Sequence, residues 1–122
     1  MEKVAIVRES ATVTVDGVRF VIDVSELPSY FHAIQWNVMT SVGHIEFGND
    51  AEGRHLPNLP LTDFTAYNYL LDRWNMARVA ELAQQEIEKR ERKRQEEENA
   101  AAALQADRDQ EQRLLEAKEH GV

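Results

Sequence analysis

Four histidines, His32, His44, His55 and His120, are the side chains in this sequence best suited to hold a transition metal, since a neutral imidazole nitrogen is a good zinc ligand. Their spacing does not support that chemistry. No two of them form the HExxH arrangement that places paired imidazoles on one helical face, and the nearest carboxylates, Glu46 and Asp50, fall in strand and loop sequence. A serine nucleophile would need a sharp Gly-x-Ser-x-Gly elbow or a comparable presentation, with a base and an oxyanion hole, and the chain offers none. A Gly-rich phosphate loop is also missing. Carboxylates are abundant, but most lie in a charged C-terminal stretch where water keeps their ionisation ordinary. Cysteine is absent, which removes disulfides and thiolate metal sites and fits synthesis inside the cell. The sequence therefore reads as a non-enzyme with no catalytic residue, cofactor or metal.

Charge narrows the partners. The net charge of −8 opposes broad capture of nucleic acid, which needs an excess of lysine and arginine to displace condensed counterions. Cutting the chain after Ala83 leaves 6 basic and 11 acidic residues before the cut, and 8 basic and 11 acidic after it, so neither part is a basic arm. The basic cluster from Lys89 to Arg94 is interleaved with and followed by glutamates, as on a solvated helix. The apolar run near Met1 is too short for a signal peptide, and no segment approaches the roughly 20 apolar residues of a membrane span. Neither nucleic acid nor membrane is an expected partner.

The elements that would position a binding surface begin with strands. Val4–Val7, Thr12–Val15 and Val18–Val24 are short and rich in β-branched residues. Asp16-Gly17 suits a two-residue type I′ turn, which would set Val15 opposite Val18, Val13 opposite Phe20 and Thr14 opposite Arg19. Ile22 and Val24 extend the apolar face, and Asp23 falls on the polar side with Arg19, where an exposed ion pair is expected. Ser25–Ser29 contains Pro28 and reads as a turn or short helical loop. His32–Trp36 alternates so that His32, Ile34 and Trp36 share a face, and Ile45 and Phe47 share one in a second hairpin. Four or five strands result, ending in a loop that carries Pro57 and Pro60.

From Thr62-Asp63, a polar cap, the apolar residues Phe64, Tyr67, Leu70, Leu71, Trp74, Val79, Leu82 and Ala83 recur at helical spacing, predicting a helix that covers the sheet. Tyr67 and Tyr69 cannot both face the core of one helix. Beyond Gln84 large apolar residues vanish between Ile87 and Leu104, while Glu, Lys, Arg, Gln and Ala keep helix propensity high up to Gly121. A straight helix over 63–119 would reach on the order of 85 Å at about 1.5 Å per residue. A regular coiled coil lacks support, because apolar residues do not recur at a and d positions through Lys89–Asn99. The expected class is α+β: a β-rich domain over 1–60, an amphipathic helix over 61–83, and a charged helical extension over 84–122.

His32-Ala-Ile-Gln-Trp36, Gly43-His-Ile-Glu-Phe47, Leu61-Thr-Asp-Phe64 and Leu71-Asp-Arg-Trp74, in that order, resemble a series found in small phage and prophage proteins similar to tail-fibre assembly factors. The resemblance covers roughly residues 11 to 80. It implies a chaperone in the host cytoplasm that binds a trimeric tail-fibre protein and guards its exposed β surface until assembly. It transfers no enzymatic residue. Ile34, Trp36, Ile45, Phe47, Tyr69 and Trp74 are the residues expected to form or support the partner-binding platform. The alternative is a structural virion component, retained in the particle, that self-associates as a homo-oligomer through its long helix.

Overall fold

The β-branched runs form strands, and the computed structural model, which describes residues 1–119, contains six of them. They are β1 (Lys3–Val7), β2 (Thr12–Val15), β3 (Val18–Val21), β4 (Phe31–Asn37), β5 (Val42–Phe47) and β6 (Leu59–Leu61). A 3-10 turn at Thr65–Tyr67 leads into helix α1 (Asn68–Glu119). The fold is α+β. All strand pairs are antiparallel, in the order β3-β2-β1-β4-β5-β6, so β1 and β4 lie at the centre. His120 and Gly121 lie outside the described residues.

The first hairpin has the expected register, with Val15 opposite Val18, Thr14 opposite Arg19 and Val13 opposite Phe20. Asp16 and Gly17 take φ angles of 49° and 83°, as a type I′ turn requires. Ile22 and Val24 continue the apolar face and are buried, although β3 itself ends at Val21. The Asp23 carboxylate turns to the backbone of Ser25, accepting its N–H at 3.0 Å, because a side chain beyond the strand end reaches the local loop more readily than Arg19.

Three features differ from the sequence reading. The strand count is six because Leu59–Leu61 pairs with β5; an edge strand tolerates Pro60, since only one of its sides must supply a ladder. His32 does not share a face with Ile34 and Trp36. The β4–β5 register shifts between Phe31 and Ala33, which leaves His32 exposed and 3.5 Å from Glu9. The helical pattern begins with a 3-10 turn, held by Asp63, which accepts the Thr65 N–H at 3.0 Å and the Thr65 hydroxyl at 2.6 Å. That turn changes the rotation between Tyr67 and Tyr69, and both become half-buried.

One face of the sheet carries the core: Val4, Ile6, Val13, Val15, Ile34, Trp36 and Ile45 pack with Phe64, Leu70 and Trp74. Burying such side chains stabilises by about 1.5–3 kcal/mol each relative to exposure. Leu27, in the turn after β3, joins them. The chain divides into two units, the first Met1–Val79 and the second starting at Ala80. Within the first, α1 contributes Leu70 and Trp74, and its apolar stripe ends at half-buried Ala77; Val79 is 67% exposed. In the second, every described residue from Leu82 onward is exposed. Helix there rests on local propensity and on pairs four residues apart, such as Glu86 with Arg90 and Arg94 with Glu98, both at 3.3 Å.

Candidate functional site

The six residues expected at a partner-binding platform occupy two environments. Ile34, Trp36, Ile45 and Trp74 are buried in the core. Trp36 stacks on Phe64 with ring centroids 5.3 Å apart, and Trp74 meets Phe20 edge-on at 5.9 Å while its Nε1 donates to the Val18 carbonyl at 2.9 Å. All four belong to the hydrophobic core. Phe47 and Tyr69 are half-buried and reach the outside at separate places.

Tyr69 belongs to an ionic cluster that ties α1 to the turn after β3. The Arg73 guanidinium lies 5.0 Å over the Tyr69 ring and donates to both Glu26 oxygens, at 2.9 and 2.5 Å, and to the Asp23 carbonyl at 2.6 Å. The hydrogen bond from Arg73 holds the Glu26 carboxyl below its usual range, and the same bond raises the guanidinium further. Burial pushes the Tyr69 phenol up. Every charge in this cluster is answered within it, so its role is anchoring.

Phe47 belongs to an aromatic end of the sheet. Tyr30 and Phe47 stack at 6.0 Å, Phe31 sits edge-on to both at 5.3 and 5.6 Å, and Tyr67 closes the group beside Phe31 at 6.4 Å. Tyr30 and Phe47 continue into an apolar hollow of about 420 Å³ completed by Leu56, Pro57, Asn58 and Leu59. Tyr30 is 59% exposed and Leu59 51%, so the hollow is open to a ligand. Its wall is braced by the preceding loop: Asp50 Oδ1 accepts the N–H groups of Glu52 and Arg54, and Arg54 pairs with both Asp50 and Glu52. Chemically the hollow can take an apolar or aromatic side chain, with few polar groups to satisfy. Tyr30, Leu56 and Pro57 were missed in the sequence because they stand in turn and loop segments with no periodicity, and Leu59 because its three-residue strand is too short to show one; the clustering of Pro57, Leu59 and Pro60 was the available signal.

A second open hollow, of about 590 Å³, is lined by Ala5, Thr14, Gln35, Asn37, Val42 and His44 among others. His44 lies 3.7 Å from Glu46, and among the described residues no three histidine, aspartate or glutamate side chains gather where they could share a metal. No described helix is long and apolar enough to cross a membrane. Comparison with protein-family models, curated proteins and solved structures finds no match to this chain.

Proposed function

We propose that the protein is a phage or prophage tail-fibre assembly chaperone, which binds a fibre protein in the host cytoplasm and assists its folding or trimerisation. The observation that carries this reading is the apolar hollow between Tyr30, Phe47 and Leu59, on the rim of the sheet. Exposed aromatic and aliphatic side chains in a concave setting are how a protein grips an anchor residue of another chain. Of the residue series on which the family resemblance stands, Trp36 and Phe64 stack on each other in the core and Phe47 lines the hollow itself. An unfinished β-rich fibre exposes apolar side chains of the kind the hollow accepts, and covering them would slow their wrong association.

The test is co-expression with the fibre protein, reading soluble trimer. The fibre should become soluble and trimeric with the chaperone and aggregate without it; a fibre that trimerises equally well alone contradicts the proposal. A second reading, a structural virion component bundled through α1, draws on the exposed helix after Ala80 and requires the protein in purified particles at fixed stoichiometry.

A further inference from the structure

The sheet has two edges, and they differ. At β6, Pro60 is the middle of three residues and has no N–H to offer a new strand. At β3 the ladder to β2 uses alternate residues. The Ile22 N–H donates to the Ala11 carbonyl at 2.8 Å, which places Ile22, Phe20 and Val18 in the hydrogen-bonded pairs of the hairpin. The backbone groups of Arg19 and Val21 therefore point away from β2. The next outward position, Asp23, is already occupied, because Arg73 donates to its carbonyl. The unpaired edge is thus a window of two residues, Arg19 and Val21, one on either side of Phe20, bounded by the Asp16-Gly17 turn and by Arg73.

We propose that this window is the seam of a two-fold dimer, in which β3 pairs antiparallel with β3 of a second copy, centred on Phe20. The window is self-complementary. In that register Arg19 of each copy stands opposite Val21 of the other, and the four outward N–H and C=O groups of each strand are satisfied at once. Gly17 falls opposite Asp23, and a residue without a side chain leaves room for the Arg73 guanidinium. Val21 is 79% exposed, and the aliphatic stem of the opposing Arg19 would cover it. On the inner face the two Phe20 rings meet in a close, non-hydrogen-bonded pair, each already edge-on to its own Trp74. Met76 and Val79, exposed on the helix turn after Trp74, lie on the side of α1 left uncovered by its own sheet. Closing the pair removes the one edge able to recruit foreign strands.

Sedimentation equilibrium of the full chain over a concentration series tests this without any fibre protein, so its outcome is separable from that of the chaperone reading. The mass should rise from 14.0 kDa towards twice that value at micromolar concentrations, the range of small interfaces. Val21→Lys sets like charges against Arg19 of the other copy and should weaken the dimer by about tenfold or more. Val21→Glu, equally polar, faces the same arginine with opposite charge and should keep it. Circular dichroism of both variants should match the parent. A parent monomeric throughout would overturn the proposal and leave the edge to a strand of another protein. Equal effects of lysine and glutamate would overturn it too.

Discussion

Asp16 is asked to do two things at one position. It opens the first hairpin with a positive φ, and its carboxylate accepts the N–H groups of Lys3 at 2.8 Å and Glu2 at 2.9 Å, fastening the start of β1 to the turn. The Lys3 and Glu2 amides hold its pKa below the ordinary 3.8. A depressed carboxylate stabilises the fold above the unfolded value, and that contribution disappears as pH falls through the lower folded value. Asp16→Asn keeps a residue that tolerates the turn but accepts less strongly. Melting temperature followed from neutral to strongly acidic pH should show the variant less stable near neutrality and the two curves converging in acid; parallel curves would refute this role. The turn was legible in Asp16-Gly17 alone, whereas the reach of the carboxylate to Lys3 was not, since it depends on β1 lying beside β2.

At the scale of elements, the sheet's central hairpin shows what close packing requires. Gly43 stands opposite Trp36, and a Cβ there would overlap the Gln35 carbonyl oxygen and come within 3.0 Å of the Trp36 Cα. Backbone cannot give way as a flexible side chain does, so Gly43→Ala should cost about 2–3 kcal/mol. Chemical denaturation checks it, and an unchanged midpoint would show that β5 moves freely against β4. β-Branched runs revealed β1 to β3, the Asp16-Gly17 turn gave the faces of the first hairpin, and period-two alternation revealed β4 and the shared face of Ile45 and Phe47 in β5. It could not reveal the register shift at His32, which arises from pairing with β5, nor β6, whose two leucines flank a proline. The helix was legible throughout its length, yet Val79 and Leu82 continued its apolar pattern without being covered, because periodicity records which residues share a face and not how far the sheet extends beneath them.

Across the whole molecule, the two units have different sources of stability. The first rests on a buried core from Val4 to Trp74, and the second on local helix propensity and exposed pairs, each contributing about 0.3–0.5 kcal/mol. Trp36 and Trp74, which stand out in the sequence, are buried in the core, whereas the hollow is lined by Tyr30, Leu56, Pro57 and Asn58 from turns and loops together with Phe47 and Leu59 from β5 and β6. The proposal that the first unit recognises a tail-fibre protein is tested most directly by size-exclusion chromatography with light scattering of the chain co-expressed with that protein. The complex should survive in a chain ending at Ala83 and be lost with Tyr30→Ser and Phe47→Ser together, variants whose own melting is recorded alongside. A complex that needs the residues after Ala83, or that ignores the altered hollow in a folded variant, would contradict the account.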